Sequence, residues 1–211
     1  MKVKICGITN YEDAAMIVDQ GADALGFNFF PKSPRYIDPS DARKIIRRIP
    51  PFVVTVGLFV NVTEQSRVSA AARAAGVQVL QLHGDETPEY CSGLADWPLI
   101  KALRIGEKGI EENPEEYPVQ AFLLDFKDDA LFGGTGKSFD WDLAKSIRRV
   151  RPIILAGGLT PDNVREAIRV VDPYAVDVCS GVENAPGKKS ARKVIEFMNE
   201  VRNVNRPLQR S

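Results

Sequence analysis

The sequence is poor in the residues that staple or metallate a small fold. It holds three cysteines and one histidine in 211 residues. Cys6, Cys91 and Cys179 are scattered, form no CxxC, and are odd in number. This argues against a disulfide framework or a structural zinc site and for a reducing cytoplasm as the setting. There is no excess of either charge: 28 Lys and Arg balance 28 Asp and Glu. A neutral chain gives no reason to expect nucleic acid or another polyanion as its main partner. Long apolar runs are missing too. The longest nearly apolar stretch, Val53 to Val60, is far short of the roughly 20 residues that cross a bilayer. The N-terminal segment MKVKICGITN lacks the apolar stretch of a signal peptide. A soluble, unexported protein with no membrane partner is the expectation.

What is present is ordinary globular composition, 44% apolar and 27% charged, in a length that fills one core. Short runs rich in Val, Ile and Leu alternate with longer amphipathic stretches, the pattern of repeated βα units on a parallel sheet. The strand candidates are Val3–Cys6, Ala24–Phe29, Val53–Phe59, Val77–Leu82, Leu99–Leu103, Ala121–Leu124, Ile153–Ala156 and Tyr174–Val178. In the first helix Asn10 is the cap, Ala14, Ala15, Ile17 and Val18 repeat at helical spacing, and Gly21 is the stop. Pro39 and Asp41 open the second, which carries Ile45, Ile46 and Ile49 and stops at Pro50-Pro51. Gly106–Pro118, broken by Gly and Pro, predicts at most a short or irregular helix. Residues from about Asn203 onward read as a frayed tail.

Eight units at about 26 residues each fit a compact (β/α)8 TIM barrel, a single domain over residues 1–211. The competing fold is a doubly wound open sheet. Strand parity separates the two. Lys4 and Cys6 share one face of strand one, Gln81 and His83 one face of strand four, Leu123 and Asp125 of strand six, Ala175 and Asp177 of strand eight. Polar groups thus fall on a single parity, late in four strands. A barrel can turn that parity toward its mouth, whereas an open sheet covered by helices on both faces has no place for it.

In such a barrel the active site forms at the C-terminal strand ends, and the loops after strands seven and eight often hold a phosphate. Here those loops carry Gly157-Gly158, at the start of a helix, and Ser180-Gly181. Bare N–H groups there, beside the positive end of the helix, suit an anion; glycines that merely shape tight turns would look alike. Cys6 ends strand one facing the mouth, with Lys4 on its face to favour thiolate; a small buried hydrophobe is the bland alternative. Cys91 and Cys179 read as structural. Asp125 follows an apolar run, an odd place for a carboxylate unless it works or is paired. Arg35, in a loop stiffened by Pro31 and Pro34, can fork onto a carboxylate or phosphate, or can simply be a solvated surface arginine. His83 faces inward as a ligand contact, an acid/base group or a rim histidine. The segment Phe132 to Lys137 is glycine-rich but has the wrong spacing for a nucleotide loop. Trp97 and Trp141 read as packing residues.

Several of these pieces belong together. Lys4-Ile5-Cys6-Gly7-Ile8-Thr9, Pro31-Lys32-Ser33-Pro34-Arg35-Tyr36, Gln81-Leu82-His83-Gly84, Leu124-Asp125 with Gly133-Gly134-Thr135-Gly136-Lys137, Gly157-Gly158-Leu159, and Asp177 to Glu183 with Pro186-Gly187-Lys188-Lys189 resemble the phosphoribosylanthranilate isomerase family. The likeness runs in order from residue 2 to about residue 200. Ser190 departs from it, standing where the family usually has aspartate, but serine can still cap the last helix. The resemblance implies a (β/α)8 barrel that carries out an Amadori rearrangement in tryptophan biosynthesis without cofactor or metal. It implies Asp125 as general acid and Cys6 as general base, with Arg35 on the anthranilate carboxylate. Gly157, Gly158, Ser180 and Gly181 would bind the 5-phosphate of a phosphosugar, and His83 and Asp177 would line the pocket. Two other classes are open at this point: a lyase using Lys101 or Lys4 as Schiff-base nucleophile, and a silent phosphate-binding barrel. A monomer and a homodimer fit the apolar outer face equally well.

Overall fold

The computed structural model of the protein describes residues 1–105, 112–126 and 147–204. Its eight parallel strands are β1 (Lys2–Cys6), β2 (Ala24–Asn28), β3 (Val54–Phe59), β4 (Val79–Leu82), β5 (Leu99–Ile105), β6 (Ala121–Phe126), β7 (Ile153–Ala156) and β8 (Ala175–Val178). They hydrogen-bond in sequence order and close into a barrel, with Lys2 to Ile5 of β1 lying beside Ala175 to Val178 of β8. The open-sheet alternative is thereby set aside. Around the barrel stand α1 (Tyr11–Asp19), α2 (Pro39–Ile46), α3 (Gln65–Ala75), α4 (Pro88–Ser92), α5 (Val164–Val171) and α6 (Ala191–Arg202). No helix among the described residues is long and apolar enough to cross a membrane.

Local chemistry sets the helix ends. The Asn10 side chain accepts a hydrogen bond from the Asp13 N–H and so starts α1. α2 opens at Pro39, as the sequence reading has it, and its cap is Asp38, whose Oδ1 accepts from Ser40 N–H. Gly76 ends α3 in the left-handed conformation at φ 81°. Ser190 caps α6 by accepting from Lys193 N–H, so the departure from the family's aspartate keeps its helix start. Within the described part of Gly106–Pro118, Pro114–Glu116 forms one 3-10 turn.

The parity argument separates two cores. Outward-facing Ile5, Leu25, Leu80, Leu82, Phe122, Leu124, Leu155 and Val176 pack against the helices in the larger cluster. A smaller cluster of Val56, Ile100, Ala102, Ala121, Leu123, Ile154, Ala156 and Ala175 fills the barrel interior. Lys101 breaks the pattern. It shares a parity with Leu99 and Leu103, is 1% exposed, and donates to Gly84 O, Ala102 O and Glu86 Oε2. A buried lysine whose ammonium is met by two carbonyls and a carboxylate belongs to the fold. One element has no counterpart in the sequence reading: an antiparallel pair of short strands, β9 (Glu183–Ala185) and β10 (Lys188–Lys189), turning at Gly187 with φ 76°.

Candidate active site

The C-terminal ends of the strands gather the titratable groups. Cys6 closes β1 with its side chain inward and only 6% of the residue exposed. Neighbouring β2 makes room for it. A Cβ built on Gly26 would stand 2.7 Å from Cys6 Sγ and 3.0 Å from its Cα, so only glycine fits beside the thiol. One turn deeper, Lys4 Nζ meets Asp177 Oδ2 at 2.7 Å, both nearly sealed from solvent. Burial opposes the charge on Lys4 most strongly, but Asp177 beside it, together with Cys6 and Cys179, holds the ammonium above its ordinary value. Burial is also the main influence on Asp177, whose carboxyl is pushed up to about 6 despite Lys4.

Cys179 lies just past β8, where the register that sets Ile5 against Val178 brings it next to Cys6. Its thiol hydrogen-bonds Cys6 and is the main reason that the Cys6 thiol falls well below its ordinary value. Burial works the other way, while Lys4 and Lys189 add positive charge in favour of thiolate. The same hydrogen bond and burial push Cys179 up, so the shared proton sits on Cys179. The reading of Cys179 as merely structural therefore gives way to a place in the site. The signal lay in parity: Ala175, Asp177 and Cys179 alternate on one face, and barrel closure sets that face beside Cys6. Cys91 is different. It is fully buried in α4, and burial raises it to about 11.

Across the mouth, His83 Nε2 lies 3.0 Å from Asp125 Oδ2, and its Nδ1 lies 2.8 Å from the Gln81 amide nitrogen. With Gln81 donating to Nδ1, the ring proton is on Nε2 and points at Asp125. The Asp125 side chain is 32% exposed. Its neighbours are thus less apolar than the run Phe122–Leu124 suggests, because that run's bulky members Phe122 and Leu124 face outward.

Arg35 reaches the mouth with its stem over the end of β1, where a Cβ on Gly7 would lie 2.8 Å from Arg35 Cδ. Its guanidinium forks onto Glu183, with Nη2 2.6 Å from Oε2 and Nε 3.0 Å from Oε1. It is therefore an anchored side chain and not a solvated one.

The loops after β7 and β8 meet. Gly157 and Gly158 take φ 86° and 60°, conformations that suit glycine. Asn163 ties the loop down, accepting from Thr160 N–H and donating to Gly158 O. Gly181 sits so close to the Leu159 carbonyl that any Cβ would collide with it. The N–H groups of Gly158 and Gly181 donate to no carbonyl among the described residues, and Ser180 precedes Gly181 in the turn after β8. Two glycine-lined turns pressed together, with free N–H groups and a following helix start, form a cradle of the kind that takes an anion. The segment Phe132 to Lys137 and Trp141 lie outside the described residues, while Trp97 packs against the outer core. No group of three or more His, Cys, Asp or Glu among the described residues is arranged to hold a metal.

A closed parallel barrel with a sulfur pair, a carboxyl–imidazole pair and a glycine-lined cradle at one mouth is an enzyme of the (β/α)8 class. The comparisons with known proteins narrow the class. The family model described as N-(5'-phosphoribosyl)anthranilate (PRA) isomerase matches residues 3–200, and the chain belongs to that family. It is 52% identical over 198 residues to the N-(5'-phosphoribosyl)anthranilate isomerase of Pelobacter propionicus, covering 94% of each chain. The isomerase of Geobacter metallireducens is 50% identical over 198 residues, with 94% of this chain and 97% of the relative covered. The crystal structure of the Thermotoga maritima enzyme superposes with a TM-score of 0.84 at 46% identity, over 96% of this chain and 99% of that one. A second isomerase structure, in complex with reduced 1-(o-carboxyphenylamino)-1-deoxyribulose 5-phosphate, gives 0.83 at 43% identity over 96% and 99%.

Proposed function

We propose that the chain converts N-(5-phosphoribosyl)anthranilate into 1-(2-carboxyphenylamino)-1-deoxyribulose 5-phosphate, with Asp125 as general acid and Cys6 as general base. The observation that carries this reading is the placement of two groups of opposite character on facing strand ends: a thiol poised as thiolate, and a carboxyl backed by an imidazole. Asp125 protonates the furanose ring oxygen, the C1–O bond breaks, and the nitrogen lone pair forms the C1=N iminium. That iminium acidifies the C2–H. Cys6 thiolate removes the proton, the C2–H electrons form a C1=C2 bond as the C1=N π pair returns to nitrogen, and the resulting enol relaxes to the ketose. The Nε2–H of His83 stabilises the Asp125 carboxylate that proton delivery leaves behind. Asp177 keeps Lys4 protonated, and Lys4 holds positive charge beneath the thiolate. Disappearance of the fluorescent substrate, made in situ, tests the activity directly.

The Schiff-base lyase loses its nucleophiles in this arrangement. Lys101 faces the outer layer and is held by carbonyls, and Lys4 is locked as an ammonium against Asp177. A Schiff base needs a free amine.

The cradle of Gly157, Gly158, Ser180 and Gly181 takes the 5-phosphate. Crystals soaked in inorganic phosphate are expected to show the anion within hydrogen-bond distance of the Gly158 and Gly181 nitrogens, and phosphate should inhibit competitively. An empty cradle with density elsewhere would sink this assignment.

Arg35 holds the anthranilate carboxylate. That group is remote from the reacting carbons and keeps its charge throughout, so the contact strengthens ground and transition states alike. Arg35→Ala is expected to raise KM about 10- to 100-fold, the scale of losing hydrogen bonds to a charged group, with kcat changed far less. Steady-state kinetics showing a loss confined to kcat would contradict the role.

A further inference from the structure

Glu183 stands out among the buried charges because it touches the site from a hairpin that the barrel does not need. Its Oε2 accepts from Arg35 Nη2 at 2.6 Å and Nε at 3.1 Å. Oε1 accepts from Arg35 Nε at 3.0 Å, Lys189 Nζ at 2.9 Å and Gly187 N–H at 3.2 Å, with Cys179 Sγ at 3.9 Å. Register in the hairpin sets Lys189 against Glu183. The hairpin itself is pinned to the barrel: Thr9 Oγ1 donates to Gly187 O at 2.6 Å, Lys189 N–H to Asp13 Oδ2 at 2.9 Å, and Lys193 Nζ to Glu183 O at 2.8 Å.

A guanidinium has two edges that can fork a carboxylate, one with Nε and one Nη, the other with both Nη groups. Glu183 occupies the first. Arg35 Nη1, on the second, has no acceptor among the described residues. Arg35 is 22% exposed at its side chain and Glu183 only 4%, so the pair is sealed on the glutamate side and open on the arginine side. Lys189, with its side chain fully buried, supplies a second cation. Two cations around one carboxylate keep a net positive charge, so Glu183 does not cancel the attraction for an anionic ligand.

We propose that Glu183 is a positioning residue that holds the inner edge of Arg35 and so presents its outer, Nη1-bearing edge to the substrate carboxylate. This rests on the reading of Arg35 given above. It assigns substrate discrimination to a hairpin rather than to a barrel strand, with Lys189 keeping Glu183 ionised in place. Although burial works against its charge, the hydrogen bonds from Arg35 and Lys189 hold Glu183 below the ordinary carboxylate value.

The test compares Glu183→Asp, Glu183→Gln and Arg35→Ala in the full chain. The aspartate variant keeps the partner charge of Lys189 but falls one carbon short of Arg35; the glutamine variant keeps length and loses charge. Calorimetry would use two probes, reduced 1-(o-carboxyphenylamino)-1-deoxyribulose 5-phosphate and its phenylamino counterpart without the carboxylate. Each Glu183 variant is expected to weaken the carboxylate probe about tenfold and the other less than twofold, on the scale of one charge-assisted hydrogen bond. Combined with Arg35→Ala, Glu183→Asp should add little. In kinetics the effect should fall on KM rather than kcat. Equal weakening of both probes would mean a structural role, and tighter binding of the carboxylate probe would make Glu183 a competitor for Arg35; either overturns the proposal. If Arg35→Ala fails to separate the probes, the Arg35 reading falls instead. If it separates them and the Glu183 variants do not, Arg35 stands and Glu183 falls.

Discussion

Cys6→Ala is expected to lower turnover by about 10²–10⁴-fold, the usual contribution of one general base, while the barrel stays folded. The side chain is small, so alanine leaves only a sulfur-sized gap beside Gly26. Cys6→Ser should be almost as damaging, because a hydroxyl in the same place is a far poorer base near neutral pH. The sign of the pH dependence follows from the neighbours. The Cys179 hydrogen bond and the charges of Lys4 and Lys189 favour the thiolate, so Cys6 ionises more readily than a free thiol. The acid limb of kcat/KM should therefore lie below the roughly 8.5 of a free thiol, and iodoacetamide should alkylate Cys6 along the same curve. Product analogue in the pocket should protect it. Near-normal turnover by Cys6→Ala would remove the thiol from the mechanism and leave His83 as the base to test.

Asp125→Asn should cost a similar factor, about 10²–10⁴-fold, for the opposite reason. Asparagine keeps the shape and can still accept from His83 Nε2–H, but it has no proton to give the ring oxygen. Binding of the reduced product analogue should change little, since that molecule has no ring to open, and kcat should carry the loss. A fall in analogue affinity that matches the fall in kcat/KM would make Asp125 a binding group and the acid would have to be sought elsewhere. His83→Asn is the milder companion: Asp125 keeps its carboxyl but loses the N–H that steadies its anion.

Much of this site was readable as pattern. Lys4, Cys6, His83, Asp125 and Asp177 declared themselves by parity, because a two-residue period carries the same meaning in every strand of a closed barrel. The glycine pairs after β7 and β8 were readable as turns, but why Gly181 must be glycine was not: the Leu159 carbonyl that fills the space of its Cβ belongs to another loop. Pairings between distant loops left the least trace. Arg35 and Glu183 are 148 residues apart, and nothing in either segment names the other. The start of α2 was readable at Pro39, a residue suited to the first helical position, but its cap Asp38 went unnamed beside that stronger signal.

The seam between β1 and β8 ties the chemistry to the order in which the chain is made. Lys4 finds Asp177 at a sequence separation of 173, and Cys6 finds Cys179 beside it. Synthesis releases β1 early, at a pace of about 5–20 residues per second, and its inward lysine and thiol must wait for β8 before either has its partner. Until then Lys4 stays in water, since burying it alone would be costly. Pairings this remote form late because the loop they close is long. A partly made barrel can thus stack strands and helices while Cys6 remains an ordinary thiol, and the surroundings that favour its thiolate are complete only when the ring closes.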